Sequence, residues 1–156
     1  MARALGADGA TDGRGVAVAD LDGDGRLDLV MNNNNAPPTI YLNRLRHTGN
    51  WTRLTLVGKQ GNRDAIGAQV RLTIASGAGR KTMTRQVEAG SSYASQSDFA
   101  VHFGLGKATA IDQIEVLWPG GTRQVLKGAQ LSRLLNRAGR LEEGGEITTG
   151  APRRLP

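Results

Sequence analysis

Asp20-Leu21-Asp22-Gly23-Asp24-Gly25-Arg26-Leu27-Asp28 sets four carboxylates at positions 1, 3, 5 and 9 of a nine-residue loop, with glycines at 4 and 6. Charges of one sign packed so closely repel unless something positive sits among them. A hard divalent cation, taking oxygen ligands from alternate positions, suits that arrangement. Gly25 stands where the loop must turn sharply and a Cβ would resist a positive φ. The expected ligands are Asp20, Asp22, Asp24 and Asp28, joined at position 7 by the backbone carbonyl of Arg26. A nearly all-protein oxygen cage favours Ca2+, because magnesium keeps several of its waters.

The flanks decide which kind of loop this is. Gly15-Val-Ala-Val-Ala19 precedes it, and Leu27, Leu29 and Met31 alternate after it, so two short strands meet the loop as a β-hairpin. An EF-hand needs helices on both sides and a glutamate at position 12, which here is Met31. The competing reading is an ordinary Asp/Gly-rich turn without metal, since those residues dominate turns.

Composition narrows the function classes. The chain has 156 residues, 38% hydrophobic but only 4% aromatic, with Gly 22, so it can form an aliphatic core joined by many tight turns. The absence of cysteine excludes disulfides, thiolate zinc sites and cysteine nucleophiles. No segment approaches the roughly 18 apolar residues of a membrane span. Met1 to Gly15 lacks the apolar region of a secretory signal, and reads as a chain entered partway through a larger exported protein. Net charge is +6, divided as −3 over residues 1–30 and +9 over the rest. The basic residues are scattered and few aromatics accompany them for base stacking, so they read as a solvated surface, with no nucleic-acid partner.

In order along the chain, residues 1–14 show no periodicity and read as loose. Asn32 to Pro38 is a turn cluster, and Thr39-Ile-Tyr-Leu-Asn43 a third short strand. The unit "GVAVADLDGDGRLDLVMNNNN…IYLNR" resembles an FG-GAP or VCBS-type repeat, one blade of a β-propeller. In that family the aspartates matching Asp20, Asp22, Asp24 and Asp28 bind calcium. Only one copy is present, whereas a propeller needs typically about 4–8 blades, so this chain cannot close one alone.

From Trp51 the pattern becomes a series of short alternating runs: Trp51–Val57, Gln69–Ile74, Lys81–Val87, Phe99–Phe103, Ile111–Trp118 and Thr122–Leu126. Strands with turns every roughly 8–12 residues predict an antiparallel β-sandwich or barrel. "NRDAIGAQVRL", "GSSYASQSDFAVHFGLG" and "IDQIEVLWPGGTRQVL" together resemble the ASPIC/UnbV domain, which implies an architecture more than a reaction. The predicted organisation is thus all-β: a partial FG-GAP/VCBS-like repeat over 1–46, an ASPIC/UnbV-like β domain over 47–138, and a disordered tail over 139–156. Leu131 to Ala138 carries a brief apolar period, either a helical turn or a last strand.

No catalytic or organic-cofactor site emerges. There is no GxSxG elbow and no phosphate-binding glycine loop. His47 and His102 each stand alone, and His102 points away from the face of Val101 and Phe103. Asp64 and Asp98 lie in polar loops and read as turn caps, and Asn50-Trp51-Thr52 is a glycosylation sequon. The expectation is a calcium-binding, non-enzymatic β module of an exported protein (extracellular, periplasmic or cell-surface) for adhesion or recognition of a protein or glycan. Its alternative is an accessory domain of a secreted polysaccharide-active enzyme whose catalytic part lies elsewhere. Open strand edges would also allow a homo-oligomer.

Overall fold

The computed structural model describes residues 9–46, 49–77 and 79–150. His47 lies outside the described residues, as do positions 1–8 and 151–156 of the expected loose ends. Strands β1 (Gly13–Ala19), β2 (Asp28–Asn33) and β3 (Thr39–Tyr41) form an antiparallel three-stranded sheet in the order β1-β2-β3. This is the blade-like unit. It begins at Gly13, inside the stretch expected to be loose, where a Cβ would lie 2.7 Å from the sulfur of Met31 on the paired strand.

Eight further strands follow: β4 (Asn50–Val57), β5 (Gln69–Ser76), β6 (Gly79–Gln86), β7 (Val101–Gly106), β8 (Gln113–Leu117), β9 (Arg123–Lys127), β10 (Arg137–Glu142) and β11 (Ile147–Thr149). They make two four-stranded sheets, ordered β11-β10-β4-β7 and β6-β5-β8-β9. Leu54, Leu56, Phe103 and Leu141 of the first bury against Val70, Leu72, Ile114 and Val116 of the second. Neither sheet closes on itself, so the architecture is a sandwich and not a barrel. Alternation produces it directly: with a period of two, every second side chain of β7 and β8, and of β4 from Thr52 onward, reaches the shared core.

Two features depart from the sequence expectation. Residues 139–149 are not a disordered tail, because β10 and β11 complete the first sheet as far as Thr149. Leu141 is fully buried, and Gly139 is packed so closely that a Cβ would meet Leu134 at 2.6 Å. The pairing of β10 with β4 is parallel, from Arg137 beside Thr52 to Glu142 beside Val57. A parallel pair needs a long crossover, here supplied by all the strands of the opposite sheet. The apolar period after Leu131 is both of the things expected: a 3-10 helix over Ala129–Leu134, then β10.

Two loops also find defined roles. The open edge of β1 is covered by the chain's own 95–98 segment: Ser95 Oγ donates to the Val16 carbonyl, Ser97 Oγ accepts the Val18 N–H, and the Asp98 N–H donates to the Val18 carbonyl. Asn50 of the sequon is occupied, donating through Nδ2 to the Ala108 carbonyl at 2.9 Å and accepting from Asn136 at 2.8 Å. No helix among the described residues is long and apolar enough to cross a membrane.

Candidate metal centre

The β1–β2 ladder ends at the pair Ala19 and Asp28, so residues 20–27 must double back across the hairpin end. Gly23 and Gly25 make that possible with φ of 76° and 87°, a region costly for residues bearing a Cβ. Asp28 is 2% exposed; its Oδ2 accepts the Leu21 N–H at 2.9 Å and its Oδ1 the Asn43 N–H at 2.7 Å. Asp20 Oδ2 accepts the Gly25 N–H at 3.0 Å, while Asp20 Oδ1 is buried with no hydrogen-bond partner among the described residues. One carboxylate oxygen from each of Asp20, Asp22 and Asp28 lies within 4.8 Å of the other two.

The other two expected ligands are placed differently. Asp24 is outside that trio: its Oδ1 accepts the Arg26 N–H at 2.8 Å and its Oδ2 pairs with the Arg26 guanidinium. Arg26 also donates from Nε to the Asn43 carbonyl at 2.5 Å, tying the loop to the chain beyond β3. Asp22 Oδ1 accepts the Asp24 N–H at 3.2 Å. The contacts of Asp22 and Asp24 are thus turn-forming, as in a loop without metal. Such a turn leaves unexplained why three carboxylates converge. At an effective dielectric of about 20, each pair so placed repels by on the order of 3 kcal/mol.

Electrostatics point the same way. Burial pushes the Asp20 carboxyl above its ordinary range, more than the Gly25 and Gly23 N–H groups draw it down; the Asp24 charge adds to the rise and Arg53 opposes it. A buried, partnerless carboxylate oxygen beside two other carboxylates is the environment a bound dication would relieve. Asp20, Asp22 and Asp28 therefore fit a hard cation, with oxygen donors only.

The sandwich supplies the floor of the centre, which periodicity alone did not show. Trp51 and His102 lie on the outer face of their sheet, away from the core, and their rings stack at 5.9 Å with planes 11° apart. Trp51 is nonetheless only 7% exposed, because the metal loop sits on it: a Cβ on Gly25 would fall 2.0 Å from the indole. His102 Nε2 donates to the Gly25 carbonyl at 2.9 Å, which fixes that nitrogen as the protonated one. Burial lowers its pKa, partly opposed by the Gly25 bond and the Asp20 charge. The opposite orientation of His102 to Val101 and Phe103 is as expected. Asp98 is the predicted cap, accepting the Ala100 N–H at 3.0 Å, and its other oxygen pairs with Arg53. Asp64 is exposed and far in sequence from the trio.

Comparison with known proteins agrees with this two-part layout. The family described as "ASPIC and UnbV" matches residues 58–139, more than half of the chain. The chain belongs to the ASPIC and UnbV family. The FG-GAP repeat matches residues 13–44, the span of the blade and its loop, so the ASPIC and UnbV domain here follows a single FG-GAP repeat. The chain is similar to cartilage acidic protein 1 of Xenopus tropicalis, 39% identical over 126 residues, covering 75% of this chain and 18% of that protein. It is 36% identical over 129 residues to cartilage acidic protein 1 of Homo sapiens, covering 78% of this chain and 19% of that protein. This ASPIC and UnbV chain therefore spans about a fifth of the length of these relatives.

Proposed function

We propose that the chain is a calcium-binding, non-enzymatic β module of an exported protein, serving adhesion or the recognition of a protein or glycan. The observation that carries the calcium reading is the convergence of Asp20, Asp22 and Asp28 within 4.8 Å, with Asp20 Oδ1 buried and without a hydrogen-bond partner among the described residues. Ca2+ held there offsets most of the trio's negative charge and locks the hairpin end, so that binding energy becomes folding energy. Oxygen-only donors favour calcium over the softer transition metals. FG-GAP similarity over the same loop supports this.

The exported setting is supported by the likeness to proteins named for cartilage, a tissue rich in extracellular matrix. A recognition role is favoured by the composition of the centre, in which a bound ion would engage the carboxylates of Asp20, Asp22 and Asp28 together. A carboxylate so held is a poor general acid. Calorimetric titration of the chain with calcium tests the reading: one site is expected, lost on Asp22→Ala, and no heat of binding in the parent chain would overturn it. Binding to a glycan array together with a hydrolysis assay separates recognition from turnover.

A further inference from the structure

We propose that Trp51 and His102 of the sandwich are positioning residues for the metal loop, so that the ion-holding end of the blade and the outer face of the sandwich form one calcium-dependent joint. This rests on the calcium reading above and adds the coupling. Gly25 is the shared element. Its N–H donates to Asp20 Oδ2 at 3.0 Å, its carbonyl accepts from His102 Nε2 at 2.9 Å, and its α-carbon lies against the Trp51 indole. The residue whose N–H orients the first carboxylate is therefore held from its other side by two residues of another sheet. Outer-sphere groups of this kind fix the direction of first-sphere oxygens, and their removal commonly weakens metal binding by about 10- to 100-fold.

The joint is built on both sides. On the blade, Gly25 is buried and turned to φ 87°, leaving room for the ring. On the sandwich, Trp51 and His102 come from the neighbouring strands β4 and β7, where Arg53 pairs with His102 and Trp51 with Gly104, so the two rings lie diagonally across one ladder. Neither ring belongs to the sandwich core. The sandwich can keep its core without them, which leaves the loop as the reason for their burial. Alignment of the loop by the sandwich implies the reverse by linkage: whatever ties down Asp20 also ties down Gly25 on its platform.

Calcium affinity, measured by calorimetry on the full chain, is the test. His102→Ala and Trp51→Phe are each expected to weaken binding by about 10-fold. Ile114→Val, in the opposite sheet, should lower the melting temperature and leave affinity unchanged. Equal affinities in the parent, His102→Ala and Trp51→Phe chains would overturn the coupling while leaving the calcium site standing. No binding in the parent chain would overturn both. Terbium gives a second measurement, read by emission. Indole-sensitised emission should appear in the parent chain, persist in Trp118→Phe and be displaced by calcium. A calcium-binding chain without that emission would contradict the placement of Trp51.

Discussion

Asp28 Oδ1 accepts the N–H of Asn43 at 2.7 Å, so the last carboxylate of the loop also fastens the chain leaving β3. Through its other oxygen it accepts the Leu21 N–H. Asp28 thus has a structural task that is independent of any ion and reaches beyond the loop, whereas that of Asp22 is confined to one exposed turn contact. Asp22 is exposed and holds only the Asp24 N–H within the turn.

The two residues should therefore separate under denaturant. In chelator, Asp28→Ala is expected to cost about 1–3 kcal/mol, as two backbone donors lose their acceptor. Asp22→Ala should then lie within about 0.5 kcal/mol of the parent. In calcium both variants should fall behind the parent. Urea unfolding with and without chelator measures this; equal losses for both variants in chelator would contradict it.

Gly25→Ala should disrupt the docking of the loop. Its new methyl would stand 2.0 Å from the Trp51 ring at a φ of 87°, for an expected loss of roughly 2–4 kcal/mol. Gly67→Ala is the matched control: its φ is 92° but nothing lies within 4 Å of the added methyl. It should lose only about 1–2 kcal/mol. Urea midpoints compare the pair, and equal losses would show that the indole contact contributes nothing.

Asp98→Ala should weaken the 95–98 segment without touching the ion. Its ion pair with Arg53 is partly exposed, and such pairs contribute little. Loss of the Ala100 cap should cost about 1 kcal/mol. Any calcium-dependent rise in melting temperature should survive; its disappearance would place Asp98 in the metal centre.

Glu143 should contribute to acid sensitivity. Its Oε2 accepts the N–H groups of Lys59 at 2.8 Å and Gln60 at 2.9 Å, clamping the loop after β4 to the end of β10. The Gln60 bond, then the Lys59 bond, hold its carboxyl below the ordinary value of 4.5. A carboxyl lowered in the folded state contributes stability in full above its unfolded pKa, and loses it as pH falls through the folded one. Glu143→Gln should therefore lower stability near neutrality and flatten the decline on acidification. An unchanged acid limb in urea titrations at successive pH values would contradict this.

Much of this was legible in the sequence because local patterning and global fold agree. Val70, Leu72 and Ile74 alternate and are all buried; the Asp/Gly spacing around Gly25 marks the hairpin end. What was hidden depends on contacts between distant segments. Arg137 to Glu142 looks polar, because one of its two core-facing residues is a glycine, and only packing against Leu54 and Leu134 reveals it as a strand. Glu143 reads as a solvated charge until the Lys59 and Gln60 N–H groups are brought to it. Trp51 looks like a core residue of its strand, yet it faces outward and is buried by the blade. The same distinction holds at the metal centre. Spacing finds the acidic loop, but only the folded turn shows Asp20, Asp22 and Asp28 converging while Asp24 turns to Arg26.

The most direct test of an ion-locked hairpin end is thermal unfolding of the chain in calcium against chelator. With calcium about tenfold above its dissociation constant, the stabilisation is about 1.4 kcal/mol, which for a chain of this size raises the melting temperature by about 3–6 °C. Asp22→Ala should abolish that rise. A melting temperature indifferent to calcium across the millimolar range would contradict the account.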